Sequence, residues 1–251
     1  MEKFAFIFHP LTLEDMEHLS PVMKYIPDPI IEACLKMKKP FKVSHITGIK
    51  SPYAEAEGWF VGCPLTAKQM MTLPEEFVMD RIIESGKVAQ ELGAKIVGLG
   101  AFTSIVGDAG ITVAKNLDIA VTSGNSYTVA TAIQGTKEAA RMMGKDLREC
   151  RAVVVGATGS IGAASVRLLS KEVKHITLVA RHMGPLEELA QELIEQNHCE
   201  VAVSQDIHAS LKEADIVITV TSALDFLIEP EDLKPGCVVC DGARPRNVSR
   251  E

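Results

Sequence analysis

The 251-residue sequence lacks several features that would assign it to a simple class. No stretch approaches the roughly 18 uninterrupted apolar residues of a membrane-spanning helix. The N-terminal segment is apolar but has no basic region and no cleavage site of small residues, so it predicts a strand and not a signal peptide. Acidic residues outnumber basic ones by 33 to 26, which argues against a nucleic-acid-binding protein. We therefore expect a cytoplasmic protein with no nucleic-acid partner.

Signatures of metal sites and disulfides are also missing. The six cysteines are dispersed along the chain, and a cytoplasmic protein of this size keeps them mostly as free thiols. Cys237 and Cys240 form a C-x-x-C pair, but "GCVVCDG" predicts a strand, in which residues three apart face opposite sides. No H-E-x-x-H helix occurs. We predict no metal site.

The order of elements predicts two α/β domains, which we place at residues 1–147 and 148–251. In the first, apolar runs alternate with helical patterns, so a partly parallel sheet with helical crossovers is expected. Its best-marked helix begins after a capping box formed by Thr72 and Glu75 and ends at Gly93. In the second, five strands alternate with helices, which predicts a doubly wound Rossmann domain.

Three glycines, Gly156, Gly159 and Gly162, lie between a strand and a helix of the second domain. The first would allow a tight turn, the second a close approach of the backbone to a pyrophosphate, and the third close packing of helix on strand. Amides at the start of the helix would hold the anion, with further contacts from neighbouring residues. Those neighbours are Thr158, Ser160 and Ile161. The alternative is a strand–helix turn without a ligand.

The end of the next strand indicates which dinucleotide binds. NAD-selective domains carry Asp or Glu there, whereas this chain has Arg181, whose guanidinium would bind a 2′-phosphate. The pattern therefore favours NADP(H), with a surface arginine as the alternative. Thr221 and Ser222 end a later strand and are expected at the cofactor crevice, or they simply cap that strand.

Polar loops at strand ends of the first domain are candidates for a substrate cleft. Their hydroxyl and amide groups could orient a carbonyl. Turn and N-cap chemistry is the alternative, since the same residue types are favoured there. The candidates are Thr103, Ser104, Ser123, Asn125 and Ser126.

No Tyr is followed four residues later by Lys, so the catalytic pair of short-chain dehydrogenases is missing. The motifs that are present occur in one order and, with two N-terminal segments, resemble the long-chain acyl-[acyl-carrier-protein] reductases. The motifs are "GLGAFTSI", "TSGNSYTVA", "VVVGATGSIG", "LVARH" and "DGARPRN", and the segments are "FIFHPLTLEDM" and "GWFVGCPLT".

The resemblance implies an NADPH-dependent reduction of a fatty acyl thioester to a fatty aldehyde through an acyl-cysteine. The substrate would be carried by acyl carrier protein or by CoA, and peripheral membrane association is left open. The resemblance places the acylated cysteine beyond "DGARPRN", and this order of strands normally includes a sixth. We therefore expect a C-terminally truncated member, and we assign no catalytic residue.

Two other hypotheses about the function stay open. A dehydrogenase similar to the shikimate or quinate type, acting on a small polar substrate, would have much the same cofactor domain. Its Asn-Val-Thr-x-Pro-x-Lys pattern does not occur in the first domain. An NADP(H)-sensing module without turnover would also account for the missing nucleophile.

Overall fold

The computed structural model describes residues 2–15, 24–196, 199–223, 225–243 and 245–249. It forms two compact units, Met1–Gly124 and Asn125–Glu251, each built around its own five-stranded sheet. The predicted two-domain α/β fold with a C-terminal Rossmann unit is confirmed. Within the described ranges, no helix is long and apolar enough to cross a bilayer.

The first unit contains a mixed sheet in the order β2-β3-β1-β4-β5. Strand β2 is antiparallel to β3, and the remaining neighbours are parallel. A 3-10 turn, Ala101–Ser104, follows β4. The elements are β1 (Glu2–Phe8), α1 (Asp28–Met37), β2 (Phe41–Lys50), β3 (Glu55–Gly62), α2 (Ala67–Thr72), α3 (Glu75–Glu91), β4 (Ile96–Leu99), α4 (Ile111–Lys115) and β5 (Ala120–Thr122).

Helix α3 covers one face of this sheet. Its residues Val78 and Ile82 are fully buried against Ile7 of β1 and Val61 of β3, in one apolar cluster. Alternation along the strands and helical spacing along α3 place these side chains on facing surfaces. The core of the first unit therefore lies between the sheet and α3.

The predicted capping box of α3 is wrong. The N-cap is Pro74 and makes no side-chain bond, while the Thr72 hydroxyl donates to the carbonyl oxygen of Lys68. A reciprocal box instead begins α2, where Thr66 and Gln69 exchange side-chain and backbone hydrogen bonds. Thr72 is the last residue of the short helix α2, and its hydroxyl bonds within that helix, so it does not cap α3.

The second unit is a parallel sheet in the order β10-β9-β6-β7-β8. All five predicted strands are present. From the central β6 the chain proceeds first to β7 and β8, then returns to β9 and β10, so the strand order reverses beside β6. The elements are α5 (Asn125–Met142), β6 (Arg151–Val155), α6 (Ser160–Leu169), β7 (His175–Val179), α7 (Met183–Gln196), β8 (Glu200–Ser204), α8 (Ile207–Leu211), β9 (Ile216–Thr219) and β10 (Val238–Asp241).

Helix α5 belongs to this second unit. Its residues Val129 and Ile133 are buried in the same cluster as Val154 of β6. The compact units therefore divide before α5, whereas the boundary predicted near residue 147 follows it. Helical periodicity identified the helix, and its packing assigns it to the second sheet.

Strands β6 and β9 of the second sheet are buried on both faces. Val153 and Val217 lie in one apolar cluster, and Val154 lies in the other. The two cysteines of the C-x-x-C pair divide in the same way, with Cys237 against the first cluster and Cys240 against the second. Their predicted opposite orientation is confirmed.

Candidate functional site

Two of the three motif glycines are required by the protein's own packing. Gly156 has φ of +86°, and a Cβ there would lie 2.9 Å from the carbonyl oxygen of Val220. A Cβ at Gly162 would collide with the carbonyl oxygen of Gly156. The first glycine allows the turn after β6, and the second brings α6 against that turn, as the motif predicts.

Gly159 is different, because the protein leaves room for a side chain there. Its φ of −71° suits any residue, and a Cβ would lie 3.4 Å from the Gly156 carbonyl oxygen, an ordinary contact. The residue is exposed at the N-cap of α6. The protein's own packing therefore does not require glycine at this position, but the close approach of a ligand to the backbone would require it.

The first turn of α6 offers unpaired backbone donors. The amides of Ser160, Ile161 and Gly162 make no hydrogen bond to any acceptor in the described part of the chain, whereas the next amide, of Ala163, donates to Gly159. The positive end of the helix dipole adds to their attraction for an anion. Thr158 is exposed beside them. This geometry suits the predicted phosphate-binding role, which stays a prediction.

Asn125 contacts this same turn. Its side-chain amide donates to the Ser160 hydroxyl oxygen at 3.1 Å. Asn125 and Ser126 open α5 of the second unit, while Ser123 lies in the first unit after β5. The structure thus brings one predicted substrate residue together with a predicted cofactor residue.

Arg181 lies in the loop after β7 with an exposed side chain. Its carbonyl oxygen accepts a 2.5 Å hydrogen bond from the side-chain amide of Gln205, at the end of β8. No carboxylate among the described residues pairs with its guanidinium, so the charge is available to a ligand. His182 is exposed next to it.

Thr221 and Ser222 are half-buried after β9, and Thr221 borders the glycine turn. The Thr221 hydroxyl donates to the side-chain oxygen of Asn247 at 2.7 Å and accepts from the Ala223 amide at 3.1 Å. Its single proton is therefore used within the chain. Sequence reasoning missed Asn247, although it lies in the quoted "DGARPRN" segment.

Thr103 and Ser104 are buried, and their hydroxyls bond to their own 3-10 turn. Thr103 donates to the carbonyl oxygen of Gly100 and Ser104 to that of Ala101, each at 2.7 Å. This is the turn chemistry that the sequence left as the alternative. Their contact with a substrate stays a prediction.

The loop after β4 is held in an unusual conformation. Ala101 and Ala109 have positive φ, +46° and +57°, which is uncommon for residues with a Cβ. The loop is fixed to β1 through His9, whose Nε2 accepts from the Phe102 amide at 3.1 Å while Nδ1 donates to the Pro10 carbonyl. Burial lowers the pKa of His9. Such strain is frequent at functional loops.

The second face of the first sheet is aromatic, a feature that sequence reasoning also missed. Phe6 and Phe8 pack edge-to-face on Phe60, and the Phe6 and Phe60 side chains are 39% and 38% exposed. A Cβ at Gly98 would lie 2.7 Å from the Phe6 ring, so this strand position accommodates the ring by having no side chain. The alternation of "FAFIF" was the available signal. We call Phe4, Phe6, Phe8 and Phe60 the phenylalanine face.

Burial disfavours the thiolate form of four of the six cysteines. Burial raises the pKa of Cys63 to about 12. Burial also raises the pKa values of Cys150, Cys199 and Cys237. Reactive thiols have lowered pKa values, so these four are poor nucleophiles. Over the described ranges, no group of three His, Cys, Asp or Glu residues is placed to hold a metal ion.

Comparisons with known proteins connect this site to oxidoreductases. Residues 137–251 match the family model of shikimate/quinate 5-dehydrogenase. A long-chain acyl-[acyl-carrier-protein] reductase of Synechococcus elongatus is 31% identical over 185 residues, which cover 67% of this chain and 50% of that protein. The chain is thus related to Rossmann-type oxidoreductases, and the matched residues 137–251 lie within its second unit.

Other similarities extend over more of the chain. An aminotransferase, PigE, of a Serratia species is 31% identical over 212 residues, covering 84% of this chain and 24% of that protein. The chain therefore spans half or less of these two relatives. The crystal structure of L-tryptophan dehydrogenase from Nostoc punctiforme covers the whole chain and 65% of its own at 16% identity, with a TM-score of 0.46.

Proposed function

We propose that this chain is part of an NADPH-dependent reductase that converts a fatty acyl thioester, carried by acyl carrier protein or CoA, to a fatty aldehyde. The main support for the proposal is the length of the chain over which it is similar to the acyl-[acyl-carrier-protein] reductase. The similarity covers 67% of the chain, whereas the second unit is about half, so it extends into the first unit. The shikimate/quinate model, by contrast, lies within the second unit and concerns the nucleotide half.

The second unit would hold NADPH, which supplies a hydride when it is bound. The unpaired amides of Ser160, Ile161 and Gly162 suit the pyrophosphate, and the exposed glycine 159 lets it approach. The guanidinium of Arg181 suits the 2′-phosphate, which an NAD-type carboxylate would repel. These features support NADP(H) over NAD.

The first unit would hold the acyl group. The phenylalanine face is partly exposed and uncharged, and each methylene group buried against such a surface contributes about 0.8 kcal/mol. A small polar acid would gain nothing from it. The resemblance assigns the acyl-accepting thiol to a position beyond "DGARPRN", and burial raises the pKa values of four thiols within this chain.

The test supplies the protein at its full natural length with NADPH and palmitoyl thioesters of acyl carrier protein and of CoA. Hexadecanal, detected by gas chromatography with matching NADPH consumption, is expected. A folded protein that binds NADPH and forms no aldehyde refutes the proposal. Turnover of shikimate or quinate in a parallel panel would instead favour the small-substrate dehydrogenase.

A variant tests the acyl-binding role of the phenylalanine face. Phe60→Ser should raise KM for a 16-carbon thioester more than for an 8-carbon thioester, because the longer chain covers more of the face. Equal changes for both lengths would exclude the face from substrate binding. Met37→Ser, at an exposed apolar residue of α1, is the matched control and should change neither KM.

A further inference from the structure

Asn247 joins three chain segments at the carboxyl edge of the second sheet. The residue is fully buried, its amide donates to the Asp241 carboxylate at 3.0 Å, and its carbonyl oxygen accepts from the amides of Leu227 and Ile228. The same carboxylate also accepts from the amides of Ala243 and Val248. The loop after β10 is therefore fixed through Asp241, with Asn247 at its centre.

The Asn247 side chain is directed at two threonines. Its oxygen accepts from the Thr219 hydroxyl at 2.9 Å and from the Thr221 hydroxyl at 2.7 Å. Its nitrogen is buried and has no hydrogen-bond partner among the residues that the structure describes. Whichever end of the carboxamide faces the threonines, the other end has no partner among the described residues, which is unfavourable for a buried polar group.

The two threonines differ in what lies beyond them. Thr219 is fully buried at the end of β9. The Thr221 methyl carbon would lie 3.2 Å from a Cβ at Gly156, so this side chain forms the wall of the glycine turn. Asn247 therefore reaches the nucleotide site through Thr221 and not through Thr219.

We propose that Asn247 is a positioning residue that holds Thr221 at the nicotinamide half of the dinucleotide site. This inference rests on the proposed NADPH binding. Arg181 follows β7 on one side of the glycine turn, and Thr221 follows β9 on the other, because β6 lies between these strands. A dinucleotide whose 2′-phosphate meets Arg181 extends across β6 toward Thr221.

The experiment measures affinities of the 251-residue chain for NADPH and for 2′,5′-ADP, which is the adenosine half alone. Thr221→Val and Asn247→Leu should each weaken NADPH binding about fivefold, as expected for the loss of one hydrogen bond. The double variant should bind NADPH no more weakly than Asn247→Leu, because both act through one contact. The affinity for 2′,5′-ADP should not change in any of them.

Thr219→Val is the matched control, since it removes a hydrogen bond to the same oxygen away from the glycine turn. It should lower the Tm and leave NADPH affinity within about twofold of wild type. Equal weakening by Thr219→Val and Thr221→Val, or wild-type affinity in Thr221→Val, overturns the inference. If the wild-type chain binds neither NADPH nor 2′,5′-ADP, the proposed NADPH binding is overturned as well. This outcome distinguishes failure of the proposed function from failure of the inference about Asn247.

Discussion

Replacing Gly159 with alanine should weaken nucleotide binding strongly while leaving the fold intact. The backbone already has φ of −71° and ψ of 164°, and the new methyl group would meet the Gly156 oxygen at an ordinary 3.4 Å. Alanine restricts the unfolded chain, which stabilises by about 0.4–1 kcal/mol, and is a poorer N-cap than glycine by a similar amount. The free energy of unfolding should therefore change by less than about 0.5 kcal/mol.

The effect on binding is much larger because the methyl group would occupy the position from which a pyrophosphate reaches the amides of α6. Losing one charge-assisted hydrogen bond costs about 1.5–3 kcal/mol, which corresponds to a Kd for NADPH about 10- to 100-fold higher. NADPH fluorescence titration measures the affinity, and urea unfolding of the same samples measures the stability. The two measurements separate a lost ligand contact from a damaged fold.

Two other glycine variants serve as controls. Gly135→Ala, at an exposed position in α5 with no atom within 4 Å, should stabilise by about 1 kcal/mol and leave NADPH affinity unchanged. Gly162→Ala should destabilise by about 1–3 kcal/mol, because its Cβ collides with the Gly156 carbonyl. If Gly159→Ala bound NADPH like the wild type, the pyrophosphate would not approach this glycine and the assignment of the turn would be refuted.

Three further predictions follow from single contacts. Arg181→Ala should raise the Kd for NADPH about 10- to 100-fold and leave that for NADH unchanged, by loss of the 2′-phosphate contact; equal losses for both would contradict the assignment. Burial lowers the pKa of His9 below its ordinary 6.5, so its neutral form stabilises the fold fully above pH 6.5 and progressively less as the pH falls below that value. Urea unfolding should therefore show His9→Gln losing less stability than wild type between pH 7.5 and 5.5, and parallel curves would argue against this. Thr66→Ala should lower the free energy of unfolding by about 1 kcal/mol, and Thr72→Ala should lower it by less. A larger loss for Thr72→Ala would instead support the capping box predicted at Thr72.

The second unit was predictable because its signals are local. The runs "AVVV" and "IVI" are apolar throughout, as expected for strands buried on both faces, and helical spacing follows the first of them. Gly159 and Gly162 also act within a few residues of their own positions, whereas Gly156 faces Val220 after β9. Strand number and the position of the turn were therefore contained in short stretches of sequence.

Long-range contacts account for what the sequence did not reveal. The pattern of α5 identifies a helix but not the sheet it joins, which depends on Val129 packing near Val154. Asn247 bonds to two threonines that lie 26 and 28 residues away in the sequence. Helical and strand periodicity relate only residues that are a few positions apart, so they could not reveal this contact. In β1 both faces are apolar, so alternation alone could not separate the buried Ile7 from the exposed Phe6.

Candidate residues that carry the same hydroxyl group differ in their hydrogen bonds once the fold is known. Ser and Thr suit a turn as well as a binding site, so sequence treats Thr103, Thr221 and Ser160 alike. In the structure Thr103 and Thr221 donate their only protons within the chain, which leaves them to a ligand as acceptors at most. Ser160 accepts from Asn125 and retains its proton, beside helix amides that are also unpaired. The donors still available to a ligand among the described residues therefore lie at the start of α6, which is where the spacing of the glycines predicts an anion.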